Sequence, residues 1–574
     1  MVGEDDEEPP LRQEKRFLKN QRLKFKVGVV LQHMDLAHKG ALLRVGEGSF
    51  LDVLVQLDGR ACGVGNGACA ADAAARAAHA FQQVAVVLAG LGQHEQLLAF
   101  GKALCGCDLD IHIRVPFLDP MAEKTLNQQL AEKLLFKPAY VGDKSAAVKQ
   151  EAHAFAEGYK KFLDAGKTER EVAAESEQML KDAGYQQFDP KKTYVPGDKV
   201  YFSQLGKAIV ASTIGTRSFE DGFHLVIAHT DSPRLDLRPT PLYESDHFSY
   251  FKTHYYGGIR KYQWGTMPLA IHGVFSRADG TTVSVNVGED ENDPVFCITD
   301  LLPHLGAEQS ERKLSDGIRA EELNILIGSD AVDDEEVKEA VKLNTMILLN
   351  EKYGITEKDF ARAEIEIVPA YKSRDVGFDR SMIGAYGHDD RVDAYPALMA
   401  EIATKNPAFT TVCVLTDKEE IGSDGVTGMQ SMYVFHFMQE LCRTAGQDDI
   451  IAFRNSVCLS ADVTAAYDPS WASAFEPMNG TYAGRGIALF KYTGSRGKSA
   501  ANDASAELVG YVTRMMDADD VAWQIGELGR LDLGGGGTIA KYVANRGIPV
   551  IDIGVPVLSM HSPFEVIHKT DLYM

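Results

Sequence analysis

Cysteine is scarce and unpatterned: the 574 residues contain eight, scattered along the chain. Only Cys105 and Cys107 stand close together, and no second pair completes the spacing of a zinc site. This excludes a disulfide framework and reads as a cytoplasmic protein. Long apolar runs are also lacking. Stretches such as VAVVLAGLG at 84–92 are among the longest, and they fall short of the ~20 residues a membrane-spanning helix needs. Basic charge is in deficit, with 59 Lys and Arg against 82 Asp and Glu and a formal net charge of −23. Such a balance opposes binding to nucleic acid or to an anionic membrane surface. The opening MVGEDDEEPP is acidic where a signal peptide is basic. No repeat and no low-complexity linker interrupts the chain. GSRGKS at 494–499 imitates a phosphate loop, but G-x-x-x-x-G-K-[ST] needs glycine at the place of Tyr492, which excludes nucleotide binding there.

What is present has the texture of several domains, and the length allows them. Residues 1–120 are rich in Ala, Leu, Val, Gly and Gln. There CAADAAARAAHAF predicts a helix near 70–90, and no chemical motif emerges. From Met121 the pattern changes. SAAVKQEAHAFAEGYKKFLDAG at 145–166 spaces its apolar residues as a helix, with glycine just past the end. TEREVAAESEQMLKDAGY opens at Thr168 on the T-x-x-E of a capping box. KAIVASTIG and FHLVIAHTDSPRL read as strands, the second ending at His229. Residues 241–375 read as an inserted domain of mixed β and α content. In it TTVSVNVGED and ARAEIEIVPAY alternate like strands, and EEVKEAVKLNTMILLNEKYG reads as a helix. Beyond the insert, AYPALMAEIATK, TVCVLTD, SVCLSAD and IPVIDIGVPVL alternate helix and strand, which predicts an α/β sheet with helices on its faces.

The ionisable residues gather at the ends of these predicted strands. His229 and Asp231 follow FHLVIA, Glu419 and Glu420 follow TVCVL, Asp462 follows SVCLSA, and His561 follows IPVIDIGVPVLSM. Asp389 and Asp390 head a helical segment in AYGHDDR. Open α/β sheets form their sites outside the carboxyl ends of strands. Alone, the adjacent pair Glu419 and Glu420 would read as a solvated loop. Together, two histidines and several carboxylates suit zinc or a similar divalent metal. One structural zinc would leave carboxylates over. Two ions sharing a bridging carboxylate would use five ligand positions and leave room for water, at the ~3.5–4 Å spacing of hydrolytic metal pairs.

AHTDSPRL, GHDDRVDAYPAL, DKEEIGS, SADVTAAYDPS and VLSMHSPFE resemble the motifs of the M18 aminopeptidases, a family that includes aspartyl aminopeptidase and the vacuolar aminopeptidase I type. The resemblance runs from about Met121 to the end, and YYGGIRKYQW and GSRGKSAANDASAE are similar to its bacterial branch. It implies a mixed-sheet zinc-peptidase catalytic domain, 121–240 and 376–574, with helices on both faces and an inserted β-rich dimerisation domain, 241–375. It implies two divalent ions, Zn2+ with Mn2+ or Co2+ as alternatives. His229, Asp389 and Asp462 would hold one and Glu420, His561 and the bridging Asp389 the other. Asp231 would orient the His229 imidazole, and Glu419 would be the general base. Lys491 would lie near the substrate's first side chain, and His304 would be lent across a dimer interface. Asp390 is expected to support the helix start and Asp389, and His388 to be a loop histidine. The implied substrates are short peptides with acidic or else neutral N-terminal residues. The implied assembly is a homo-oligomer, a dimer built further into a dodecamer, with no nucleic-acid or membrane partner. Two other readings share the metal architecture or the fold: an amidohydrolase or deacylase, and a non-catalytic assembly protein. Residues 1–120 match nothing in the family and read as an over-extended gene model, with a real accessory segment as the alternative. The chain stops at DLYM, where family members usually continue through a final helix, and so reads as a fragment. The GGGG at 534–537 is expected to be a flexible turn into a helix whose amides line the substrate pocket.

Overall fold

Strand Phe223–His229 sends Leu225 and Ile227 into one apolar core and Val226 and Ala228 into another, so both of its faces are covered. The neighbouring strand Thr410–Thr416 divides in the same way, with Val412 and Val414 on one side and Cys413 and Leu415 on the other. This two-sided burial is what a near-continuous apolar run specifies in a parallel sheet.

The computed structural model describes residues 29–30, 40–45, 53–56 and 125–574. By internal contacts the chain divides into Met1–Phe136 and Lys137–Met574. In the first unit the strands Val29–Val30, Gly40–Val45 and Val53–Gln56 pair antiparallel. Its helix Leu126–Leu134 begins at a capping box formed by Thr125 and Gln128. The helix expected near 70–90 and the Cys105–Cys107 pair lie outside the described residues.

The second unit is built on a nine-stranded mixed sheet. At its centre Val550–Gly554, Val457–Ala461, Phe223–His229 and Thr410–Thr416 run parallel, in that order. Antiparallel strands Ala208–Thr213 and Ile487–Phe490 flank them. Helices Ala146–Ala165, Glu169–Asp182, His388–Ala403 and Ala506–Ala518 pack on one face. Tyr433–Ala445, Asp449–Asn455 and Ala540–Ala544 pack on the other. The α/β class with helices on both faces is therefore as expected. Local chemistry sets the helix ends. Ser145 caps Ala146–Ala165 through the Val148 amide, and Gly166 closes it. Thr168 and Glu171 form the expected capping box.

Directly after His229 the chain leaves this sheet for a second one. Six antiparallel strands within 234–369 form it, in the order Thr282–Val287, Leu269–Ser276, Ala363–Pro369, Arg234–Ser245, Phe248–Tyr256, Asn324–Gly328. Leu235, Phe251, Trp264, Ile271, Ile325 and Ile367 fill its own core. The helix read from EEVKEAVKLNTMILLNEKYG starts only at Ala340. Its cap is a through-space one: the Glu244 carboxylate accepts from the Val341 and Lys342 amides, at 2.9 Å each. A five-stranded sheet of Arg374–Val376, Met382–Ala385, Glu565–His568, Pro556–Leu558 and Thr464–Ala465 completes the scaffold. Among the described residues no helix is long and apolar enough to cross a membrane.

A buried ion cluster ties the second sheet to the helices of the first. His272 on Leu269–Ser276 is 1% exposed, and its Nδ1 lies 2.7 Å from Glu171 and its Nε2 3.1 Å from Glu289. Lys167 and Lys372 reach Glu289 at 2.7 and 2.8 Å. Both carboxylates are held below their ordinary range: burial opposes this, but the His272 contacts, joined at Glu289 by Lys167 and Lys372, outweigh it. With an ionised acceptor on each nitrogen, the ring is an imidazolium donating twice. Burial lowers the His272 pKa, but the bonds to Glu171 and Glu289 outweigh it and raise it above the ordinary 6.5. A group with a raised folded-state pKa stabilises fully below its unfolded pKa and loses that stabilisation as pH rises through the folded one. His272→Leu should therefore cost about 3–5 kcal/mol at neutral pH, the size of a broken buried pair. It should also remove this part of the alkaline loss. Denaturant unfolding across pH reads both effects, and an unchanged alkaline profile in the variant would exclude His272 as its source.

Candidate metal centre

The parallel register brings three strand ends level. Thr416 pairs with His229, and Ser460 pairs with Ile227 on the other side of the same strand. His229, Asp462 and the turn carrying Glu419 and Glu420 consequently share one edge of the sheet. That turn, Glu419–Ile421, is bracketed by left-handed residues, Lys418 at φ 70° and Gly422 at φ 89°. Gly387 is also left-handed, φ 81°, and a Cβ there would collide with the buried Arg391 guanidinium. It delivers the chain to Asp389 and Asp390, which open helix His388–Ala403 with non-helical dihedrals and a cis peptide between them. His561, at φ 62°, lies in the loop between Pro556–Leu558 and Glu565–His568.

These residues meet. His229 Nε2 lies 3.2 Å from Asp389 Oδ1 and 3.9 Å from Asp462 Oδ1. His561 Nε2 lies 3.1 Å from Asp389 Oδ2 and 3.6 Å from Glu420 Oε2. Each triad keeps its ligand atoms within 4.8 Å of one another, and Asp389 belongs to both. The other nitrogen of each ring is engaged by an acceptor. His229 Nδ1 faces the Asp231 carbonyl at 3.0 Å and its carboxylate at 3.3 Å. His561 Nδ1 faces the Gly258 carbonyl at 3.0 Å. A carbonyl only accepts, so each Nδ1 carries a proton and turns its Nε2 toward the carboxylates, the orientation of a ligating histidine. Burial lowers both imidazole pKa values, but the facing carboxylates outweigh it and raise them above 6.5, to about 11 for His561.

Asp231, fully buried, does more than orient His229. It accepts from the Glu419 and Glu420 amides at 3.1 and 3.2 Å and from the Tyr256 hydroxyl at 2.8 Å. The two adjacent glutamates are thus fixed by their backbone, and the Glu419 carboxylate accepts no hydrogen bond from any described residue. Burial pushes the Glu419 carboxyl up to about 7, with Asp231 and Asp389 adding to it and the histidines opposing. Burial also carries Glu420 and Asp462 well above the carboxylate range, reinforced by Asp389 and Glu419 respectively. Against the cost of burial, the two histidines hold Asp389 below it. Among the described residues, the buried oxygens Asp389 Oδ1 and Glu420 Oε1 find no hydrogen-bond partner. Orphaned, mutually repelling oxygens opposite two imidazoles, whose Nε2 protons a bound cation would displace, are the donor set of a divalent cation, and the residues present fit one.

The other expected residues belong to neither triad. Lys491 is exposed and pairs with Asp503 at 3.5 Å. His304 is exposed and makes no hydrogen bond or ion pair among the described residues. His388 is no loop histidine: it is fully buried at the helix start, its Nε2 facing the Ile383 carbonyl at 3.1 Å and its Nδ1 the Tyr159 hydroxyl at 2.8 Å. Burial drives its pKa down to about 3, so the ring is neutral, donating to Ile383 and accepting from Tyr159. Asp390 supports His229 through its amide, 3.1 Å away. Gly535–Gly536 of the GGGG segment forms no free turn, because it pairs as a short strand with Gly494–Ser495. Sequence reasoning gave no role to Arg234, Tyr256 or Glu565. Arg234 lies 4.0 Å over the Tyr256 ring and pairs with Glu366 at 3.0 Å, so it braces the tyrosine that holds Asp231. The only signals were their places inside the motifs, as in SPRL and SPFE.

A parallel-centred α/β sheet with a histidine–carboxylate cluster at its carboxyl edge defines a metal-dependent hydrolase. Comparison with known proteins narrows the class: the family model for aminopeptidase I zinc metalloproteases (M18) matches residues 162–574, and the chain belongs to that family. It is a hydrolase acting on peptides. A probable M18 family aminopeptidase 1 from Clostridium acetobutylicum is 48% identical over 432 residues, covering 74% of this chain and 93% of its own. The solved aminopeptidase I from that organism is 44% identical, covers 77% of this chain and 97% of its own, and has a TM-score of 0.73. The M18 aminopeptidase structure from Thermotoga maritima is 42% identical with a TM-score of 0.72, covering 76% and 97%.

Asp231→Asn would place an amide N–H2 against at least one of the donors the carboxylate now satisfies. Metal affinity is expected to fall about 10–100-fold, the usual size for a partner behind a ligand. Chelator competition measures it, and wild-type affinity in a folded variant would refute the assignment.

Proposed function

We propose that this chain is a co-catalytic two-metal aminopeptidase that removes the N-terminal residue from short peptides. The observation that carries the reading is Asp389, whose two oxygens face two different histidines, each completed by a further carboxylate. His229, Asp389 and Asp462 would hold one ion, and Asp389, Glu420 and His561 the other. Zinc is the ion of choice on the family and donor set, with Mn2+ or Co2+ as alternatives. Such ions supply Lewis-acid polarisation of a carbonyl and acidify water. Glu419, held by its amide with its carboxylate unengaged, is the general base: it takes a proton from water and delivers it to the leaving amine. A cavity of about 750 Å³ beside Glu420, lined in part by Asp236, Arg238, His254 and Tyr255, gives room for a peptide.

Lys491, exposed at the end of Ile487–Phe490, is the candidate partner of an acidic first side chain. Residues 241–375 form the dimerisation domain in this reading, supported by exposed Leu301, Leu302, Leu305 and Leu314. His304, in the same loop, would then serve the partner's site. A cytoplasmic setting is supported by Cys297, Cys413, Cys442 and Cys458, which form no disulfide among the described residues. The deacylase and assembly readings lose ground to family membership. A panel of aminoacyl-amides and N-acyl amino acids, with chelation and zinc add-back, decides between peptidase and deacylase.

Glu419→Gln should keep its metal and lose about 10²–10⁴-fold in kcat. Glu420→Ala should lose one ion. Elemental analysis beside kinetics separates the two neighbours, and substantial activity in Glu419→Gln would sink the base assignment. Lys491→Ala should lower kcat/KM for acidic N-terminal residues more than for neutral ones. Equal losses would remove Lys491 from the specificity pocket.

A further inference from the structure

Besides Asp231, a second buried carboxylate accepts from amides of the site and has no place in the proposed reaction. Glu565 opens strand Glu565–His568 and is 1% exposed. Its Oε1 accepts from the His561 amide at 2.7 Å, and its Oε2 accepts from the Asp389 amide at 3.1 Å. One side chain thus spans two site residues that lie far apart in sequence. Met382–Ala385, which leads into Asp389, pairs with Glu565–His568, so Ala385 faces Glu565 across the ladder. The His561 loop needs such a tie. Ser559 and His561 are both left-handed, φ 59° and 62°, and the His561 side chain is 35% exposed. Its other anchor is the ring bond to Gly258.

Resting on the two-metal reading above, we infer that Glu565 is a positioning residue that sets the spacing between Asp389 and His561, and thereby the affinity of the ion held by Asp389, Glu420 and His561. It touches neither substrate nor ion. His229, at the other end of the centre, is anchored independently of Glu565, through Asp231 on its Nδ1 and Asp390 on its amide, and the Asp389 carbonyl also accepts from the Ser232 hydroxyl at 2.7 Å. Loss of Glu565 should therefore fall on one ion and spare the other.

Glu565→Gln keeps the shape but turns one acceptor into an N–H2 group facing an N–H donor. Glu565→Asp keeps both oxygens with a shorter reach. Asp571→Asn is the control for a merely structural carboxylate, since buried Asp571 also bridges two amides, Gly484 and Gly486, at 2.6 and 2.8 Å. The full chain and each variant are loaded with Zn2+ or Co2+. Ions per chain, affinities by chelator competition, Co2+ visible absorption and Tm are then measured. Wild type should bind two ions. Glu565→Gln should bind one with wild-type affinity and the other about 10–100-fold more weakly, with the cobalt spectrum of that ion changed. Glu565→Asp should fall between, and it carries the comparison if Glu565→Gln does not fold. Asp571→Asn should lower Tm and keep both affinities. Two wild-type affinities in the Glu565 variants, or equal weakening of both ions, would overturn the inference. A wild-type chain binding fewer than two ions would instead overturn the two-metal reading beneath it.

Discussion

Like charges gathered out of water are the constraint on which the rest of this structure turns. Asp231, Asp389, Glu419, Glu420 and Asp462 converge where bulk solvent cannot screen them, with Asp390, Asp393 and Glu565 close behind. An uncompensated buried charge is among the largest penalties a fold can carry. The molecule answers in two ways. Carboxylates that point away from the centre take backbone amides, and those that point into it face, among the described residues, only the two imidazoles. The division separates support from chemistry without reference to any reaction.

The fold arranges this economically. Parallel strands bring His229, Asp462 and the Glu419–Glu420 turn to one edge, because chain direction and register place their carboxyl ends together. The remaining ligands come from a helix start and from a loop of the five-stranded sheet, and both arrive on left-handed residues. Backbone held in uncommon conformations is tolerated where surroundings over-determine it. Here Asp231 and Glu565 provide that determination through amides. Arg234, stacked on Tyr256 and paired with Glu366, extends it into the second sheet.

Much of this was legible beforehand, and the exceptions share a cause. Strand Phe223–His229, the Thr168 capping box and the strand-end position of each ionisable residue follow from local patterns: alternation, helical spacing and turn chemistry. The motifs then assembled the ligands into one site. What escaped depends on partners distant in sequence. The late start of helix Ala340–Tyr353 comes from Glu244, and the neutral, buried state of His388 comes from Tyr159 and Ile383. Asp231's grip on the Glu419 and Glu420 amides was hidden for the same reason. The GGGG segment misled because glycine permits a turn without requiring one, and here the neighbouring Gly494–Ser495 recruits it as a strand.

The contact between His561 and the Gly258 carbonyl closes a span of 303 residues. At roughly 5–20 residues per second of synthesis, the ribosome needs on the order of 15–60 s to cover that distance. His229, Asp389 and Asp462 are all made well before His561. The nascent chain therefore passes through an interval in which four of the five ligands, His229, Asp389, Glu420 and Asp462, have been made and the last, His561, has not. The order of the ligands along the message thus withholds the complete centre until the elements that carry the other four have been made.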